Sequence, residues 1–312
     1  MATVYRDSKN IPSAAQGCVL ALGNFDGVHK GHLALIAEAA KIAKEKNAPL
    51  GVVTFEPHPR RFFQPDAPPF RLTLPPMKQR LLFEAGVEHI FELTFDRALA
   101  DMAAAAFIDD ILARDLRAKH VVTGENFMFG KARSGNTETL AASDAFGFTA
   151  VAPVLSPQHQ VYSSSAVRGF LKEAKFELAE EMLGWPWQIE AAVEHGDKRG
   201  RTLGFPTINQ RVPDYVQIPY GIYAVQALIE GEERWRDGAA SFGIRPMFEA
   251  PAALFETFIF DFTDEIYGKT VRVRPVRHLR AEARFDGIDA LVKQMKEDCI
   301  SAKAVLKSLN EQ

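Results

Sequence analysis

Apolar residues in the first half of the chain fall in short runs, and each run is followed by helical spacing. Cys18–Leu22, Leu50–Phe55, His89–Leu93, His120–Thr123 and Phe148–Val154 read as strands. Periodicity alone does not separate strand from helix in runs this short, but the glycine-rich break after Leu22 favours a strand there. Leu33, Ile36, Ala37, Ala40 and Ala43 mark one apolar helix face. Met77–Ala85, Met102–Leu116 and Thr137–Phe146 supply further helical patterns. Strands alternating with helices predict a parallel sheet covered on both faces. Ligands of such sheets bind beyond the carboxyl ends of the strands. The turn after Leu22, Pro57-His58-Pro59 and Gly124-Glu125-Asn126-Phe127 are therefore expected to line one crevice.

The period changes near Trp185-Pro186-Trp187. Gln188–Glu194, Gly221–Ile229, Arg234–Phe242, Leu254–Asp261 and Thr270–Val276 read as strands broken by turns. Ile288, Leu291, Val292, Met295 and Ile300 pattern a final helix. Short strands with turn signals suggest a small antiparallel β-barrel, with that helix as its cap. The expected boundary lies at residue 185, giving domains 1–185 and 186–312.

Composition narrows the function. With 312 residues, 47% hydrophobic and 25% charged, the chain can bury a substantial core. A net charge of −3 gives no electrostatic case for nucleic acid or an anionic membrane. Cys18 and Cys299 are far apart, and neither has a partner at metal-ligand spacing. No segment approaches membrane-span length, and MATVYRDSKN lacks an apolar signal core. A soluble cytoplasmic protein is expected; its oligomeric state is left open, a homo-oligomer included.

The segment Gly23-Asn24-Phe25-Asp26-Gly27-Val28-His29-Lys30-Gly31-His32 joins a strand to a helix. Unpaired N–H groups at a helix start suit phosphate oxygens, and glycines let the backbone come close. His29 and His32 can donate to oxygens that gain charge during transfer. A glycine-rich loop with two surface histidines is the plainer alternative. In Glu56-Pro57-His58-Pro59 the prolines stiffen the loop around an imidazole, although a solvent-facing turn fits equally well. Asn126, in Gly124–Gly130, could bind phosphate or base, while the aromatics around it read as core. In Tyr162–Arg168 the serines are ordinary helix caps. Arg168, early in that helix, opposes the macrodipole and makes sense as an anion clamp.

The second half carries Gly196-Asp197-Lys198-Arg199-Gly200-Arg201-Thr202-Leu203-Gly204-Phe205-Pro206-Thr207-Ile208-Asn209. Its basic loop could fold over phosphates through backbone N–H groups and Arg201, or be a basic surface turn. Thr207 and Asn209 alternate along an extended stretch and so face one side. Their oxygens suit Mg²⁺. Glu256 interrupts an apolar strand, where a carboxylate is costly unless paired or functional. Partial burial would raise its pKa and suit a general base; a solvent-facing position is the alternative. Gly268-Lys269-Thr270 ends like a P-loop, but Thr263 stands where the first glycine is needed. No G-x-G-x-x-G follows the first strand, which removes the main support for a dehydrogenase.

Taken together, the chain resembles the bacterial bifunctional riboflavin kinase/FAD synthetases. GNFDGVHKGH, TFEPHP, GENFMFG and YSSSAVR stand in the order of the adenylyltransferase module. HGDKRGRTLGFPTIN, DYVQIPYGIYAV, SFGIRPMF, the Glu256 strand with DFTDEIYGK, and LRAEARFDG match the riboflavin kinase module. The resemblance implies a Rossmann-like α/β nucleotidyltransferase domain followed by a small antiparallel β-barrel with a C-terminal helix. It implies phosphorylation of riboflavin to FMN with ATP, then adenylylation of FMN to FAD with release of pyrophosphate. Glu256 would deprotonate the ribityl hydroxyl, and Thr207 and Asn209 would hold Mg²⁺ with the nucleotide. His29 and His32 would stabilise charge on the transferring phosphate, and Arg168, Ser164 and Asn126 would hold phosphates. Gly23, Phe25, Asp26, Gly27 and His58 would complete one ATP site, and Gly200, Arg201 and Gly204 the other.

Some positions depart from the family pattern. Ala191 stands where glycine is usual, Ser241 where asparagine is usual, and Met247 where threonine is usual. Ser165 and Ala166 replace a threonine and a longer residue. The departures in the second half motivate one alternative, and a second comes from another class of protein. The first is an FMN adenylyltransferase fused to a catalytically weak flavin-binding barrel; the second is a non-catalytic flavin sensor.

Overall fold

In the computed structural model, residues 2–196, 203–212, 214–244 and 253–310 are described. The chain divides into two compact units. One comprises residues 1–68 and 75–164, the other residues 69–74 and 165–312.

The first unit is a six-stranded sheet, every neighbouring pair parallel. Its strands are β1 (Thr3–Tyr5), β2 (Val19–Leu22), β3 (Leu50–Glu56), β4 (His89–Thr94), β5 (His120–Gly124) and β6 (Gly147–Val151), in the order β1-β4-β3-β2-β5-β6. The alternation of β2 sorts its side chains onto two cores. Val19 and Ala21 pack with Leu35, Ile36, Ala39 and Ile42 of α1 (Lys30–Glu45). Leu20 and Leu22 pack with Phe107, Ile108, Ile111 and Leu112 on the opposite face. Those last residues lie on a wide-turned π-helix, Phe107–Asp115. The Cys18 thiol donates to the Ala15 carbonyl at 3.2 Å, and burial pushes its pKa up to about 12, so Cys18 is core. The helix predicted over Thr137–Phe146 is shorter, Thr137–Ala141. After it, the Ser143 hydroxyl accepts from the Ala145 N–H at 3.3 Å, a local bond that competes with helix continuation.

Strand order in this sheet reverses at β2, whose neighbours are β3 on one side and β5 on the other. The crevice of a doubly wound sheet lies at such a point, at the carboxyl ends. The segments that follow β2, β3 and β5 are the three expected to meet.

The second unit is a six-stranded antiparallel sheet in the order β7-β12-β9-β10-β11-β8. Its strands are β7 (Ile189–Ala192), β8 (Ile208–Arg211), β9 (Gly221–Ile229), β10 (Arg236–Ile244), β11 (Ala253–Ile259) and β12 (Thr270–Arg280). An antiparallel bridge between Glu194 and Asn209, with Glu194 N–H donating to the Asn209 carbonyl at 2.8 Å, brings the two edge strands together and nearly closes a barrel. Along β11, Phe255, Thr257 and Ile259 are buried, whereas Leu254, Glu256 and Phe258 are half-buried. This period of two turns Glu256 out of the barrel interior.

A long C-terminal helix (Ile288–Asn310) packs on that outer face through Ala302 and Leu306, against Ala224, Ala239 and Phe260. Ile288 and Ile300, read from sequence as part of its apolar face, are instead 66% and 69% exposed. Residues 69–74 also belong to this unit. Arg71 bridges to Tyr215, and the Trp187 indole donates to the Leu72 carbonyl at 3.0 Å. No apolar period announces so short a segment.

Candidate functional sites

The turn between β2 and α1 is built under backbone constraint. Phe25, Gly27 and Val28 have φ of +50°, +85° and +37°. A β-branched residue in the left-handed region is strained, so tertiary contacts must hold the turn. Gly23 N–H donates to the Val53 carbonyl at 3.2 Å. The Ser164 hydroxyl donates to the Asp26 carbonyl at 2.8 Å, and the Thr54 hydroxyl to the Asn24 carbonyl at 3.2 Å. Phe25 and Asp26 are buried beneath it.

His29 caps α1, its Nδ1 accepting from the His32 N–H at 3.3 Å. The two rings stack with centroids 3.6 Å apart and planes 18° from parallel. His29 is buried, so the reading of two surface histidines is set aside. A Cβ at Gly31 would lie 3.0 Å from the Tyr162 carbonyl and 3.1 Å from the His29 ring, which explains the glycine.

Asn24, His58 and Asn126 line one cavity of about 480 Å³ in the first unit. The crevice expected from the strand order is therefore present. Its walls are aromatic: Phe55, Phe63, Phe95, Phe107, Phe127 and Phe129. Phe129 belongs to the core of this unit and Phe127 packs against it, as the sequence suggests, and both also line this cavity. His58 also caps the short helix Pro59–Phe63, accepting from the Arg60 N–H at 3.1 Å. Arg168 belongs to the second unit, where its Nε donates to the Phe70 carbonyl at 2.7 Å.

In the second unit, Glu256 pairs with Asn209 on β8 and with Ser241 on β10, and Ser241 pairs with Ile222 on β9. Directly paired residues project from the same face, so these side chains form one row. Glu256, Ser241 and Ile222 line a cavity of about 260 Å³ together with Thr207, Leu203 and Phe205. The C-terminal helix supplies its far wall through Leu291, Met295, Asp298 and Cys299. Asp298 is anchored there by Arg280, at 2.8 and 2.6 Å. Asn209 Oδ1 is buried and has no hydrogen-bond partner among the described residues. Gly204 is described, with φ +86°. Gly200, Arg201 and Met247 lie outside the described residues.

Fold and sites together define a two-unit protein, a Rossmann-like nucleotidyltransferase-type sheet and an antiparallel barrel with a C-terminal helix. The FAD synthetase family model matches residues 11–166, and the riboflavin kinase model matches residues 183–306. The chain is 38% identical over 301 residues to the bifunctional riboflavin kinase/FMN adenylyltransferase of Escherichia coli K12, covering 96% of each. It is 37% identical to that of Haemophilus influenzae over 97% of this chain and 99% of the relative. For that of Bacillus subtilis the identity is 36%, covering 90% of each. A crystal structure named as a macrolide-efflux protein from Streptococcus pneumoniae is similar with a TM-score of 0.81 and 31% identity, covering 95% of this chain and 97% of that one. Among the described residues no helix is long and apolar enough to cross a membrane. The chain belongs to the bifunctional riboflavin kinase/FMN adenylyltransferase family.

Proposed function

We infer that this chain makes FAD from riboflavin in two ATP-dependent steps, with residues 186–312 as the kinase domain and residues 1–185 as the adenylyltransferase domain. One observation carries this reading. Each unit holds its own cavity, and each cavity gathers motif residues from separate segments.

In the kinase step Glu256 takes the proton of the terminal ribityl hydroxyl. That oxygen attacks the γ-phosphorus of ATP, and the bond from γ-phosphorus to the ADP oxygen breaks. Asn209 Oδ1, buried without a partner among the described residues, and the Thr207 hydroxyl are a hard-oxygen pair that fits Mg²⁺. Bound there, Mg²⁺ would neutralise phosphate charge. Gly204 and, from the undescribed segment, Gly200 and Arg201 are assigned to the nucleotide.

In the second step an FMN phosphate oxygen attacks the α-phosphorus of a second ATP, and pyrophosphate leaves. No covalent enzyme intermediate is needed, because such transfers depend on positioning and charge neutralisation. His29 and His32 donate to the oxygens gaining charge. Asn126 and Ser164 hold phosphates, and Gly23, Phe25, Asp26, Gly27 and His58 complete the ATP site; Arg168, read from the sequence as an anion clamp, is bonded within the second unit. The aromatic cavity is of a size and lining that suit a flat flavin ring. The substrates are small molecules, and we place the reactions in the cytoplasm.

Purified protein with riboflavin, ATP and Mg²⁺ is expected to yield FMN and then FAD by chromatography. Appearance of neither product overturns the reading. FAD from added FMN, with none from riboflavin, would favour the adenylyltransferase with a weak barrel.

A further inference from the structure

One charged side chain in the first unit is buried where the proposed mechanism has no use for it. Lys78, on the helix Pro75–Glu84, is 1% exposed. A buried ammonium is costly unless it is paired and hydrogen-bonded. Its Nζ lies 3.1 Å from Thr54 Oγ1, 3.5 Å from Glu56 Oε2 and 4.0 Å from Glu92 Oε2. Glu92 is itself buried and accepts from Gln79 Nε2 at 3.1 Å.

The direction of these bonds is dictated by chemistry. An ammonium only donates, so Thr54 Oγ1 must accept from Lys78. The one hydroxyl proton of Thr54 is then left for the Asn24 carbonyl, 3.2 Å away. A trans peptide holds its C=O and N–H on opposite sides. Fixing the Asn24 carbonyl toward Thr54 therefore turns the Phe25 N–H away from β3. Glu56, the second partner of Lys78, precedes the Pro57-His58-Pro59 loop. A single buried cation is thus bonded to the supports of both the β2 turn and the His58 loop.

We propose that Lys78 is a positioning residue for adenylyl transfer, acting through Thr54 on the peptide between Asn24 and Phe25. The inference rests on the reading of the first unit as the adenylyltransferase. Lys78 touches no substrate; it sets the proton direction of Thr54 and so the shape of the turn that receives ATP.

The test measures KM for ATP and kcat for FMN-to-FAD conversion in K78M, T54V, T54S and the double variant K78M/T54V. Riboflavin phosphorylation by the same preparations serves as the internal control. A misplaced turn is expected to raise KM for ATP roughly tenfold, since small displacements carry large kinetic costs. A merely structural loss would lower the active fraction, and so kcat alone. T54S, which keeps the hydroxyl, should retain the wild-type KM. The double variant should be no worse than the worse single one, because both act along one path. Unchanged KM in both T54V and K78M, or additive effects in the double variant, overturns the proposal. So does a T54S variant as impaired as T54V, a comparison that stands even where K78M fails to fold. Wild-type protein that makes no FAD from FMN would overturn instead the reading on which this rests.

Discussion

Glu256 and Asn209 stand opposite each other on the neighbouring strands β11 and β8. The pairing places a carboxylate and a buried amide oxygen, without a hydrogen-bond partner among the described residues, on the same face of the barrel. Neither position is needed for the barrel interior, which Phe255, Thr257 and Ile259 fill. Glu256→Gln should therefore fold normally and bind riboflavin, yet lose FMN formation by about 10²- to 10⁴-fold, the usual worth of a general base. FAD formation from added FMN should persist. A variant that keeps its kinase rate would remove Glu256 from the proton-transfer role.

The stacked pair His29 and His32 performs two jobs through one segment. His29 Nδ1 is taken up in capping α1, while the His32 ring stacks on it and packs 5.1 Å from Phe25. His32→Ala leaves the cap acceptor in place. We expect it to slow FAD formation about 10²-fold, as loss of one transition-state donor does. FMN formation should be spared, and coupled chromatographic assays of both products check this. Equal loss of both rates would contradict separate sites.

Much of this was legible in the sequence because the signals are local. The glycine-rich turn declares itself through its glycines and paired histidines between an apolar run and a helical pattern, and β2 through its unbroken apolar run. What the sequence hid depends on long-range closure. β1 spans three residues at a sheet edge and has no period to read. The aromatic cavity assembles phenylalanines from five segments between Phe55 and Phe129, each of which alone reads as core. Asn209 becomes buried only when β8 meets Glu194 and closes the barrel. Thr54 and Lys78 lie 24 residues apart, and an isolated lysine on a helix ordinarily faces water.

Stability of the first unit should depend on pH through two histidines. Burial lowers the pKa values of His89 and His120 below the ordinary 6.5; the charge of Lys46 adds to the effect at His120, and Glu88 opposes it at His89. The folded unit thus holds both rings neutral at pH values where the unfolded chain protonates them. The unfolded state binds more protons in that window, so stability is full above 6.5 and falls as pH drops toward the lowered native values. Thermal melts from about pH 7.5 down to about pH 5.5 should show a decline that His89→Gln with His120→Gln makes shallower. An equally steep decline in the double variant would assign the effect to other groups.

Gly196 offers a sharper test of the metal assignment than removal of a ligand. A Cβ built at Gly196 would collide with the Asn209 side-chain amide, its Cγ only 2.7 Å and its Oδ1 2.9 Å away. The glycine is therefore the wall against which Asn209 is seated. Gly196→Ala leaves every proposed chemical group in place but pushes the amide out of position. If Asn209 Oδ1 helps hold Mg²⁺ with ATP, the variant should need more Mg²⁺ for half-maximal riboflavin phosphorylation and show a raised KM for ATP. FMN adenylylation should stay at the wild-type rate, because Gly196 belongs to the other unit. Unchanged Mg²⁺ dependence, with the melting temperature preserved, would mean that Asn209 is a barrel-closing residue whose amide does not meet the metal.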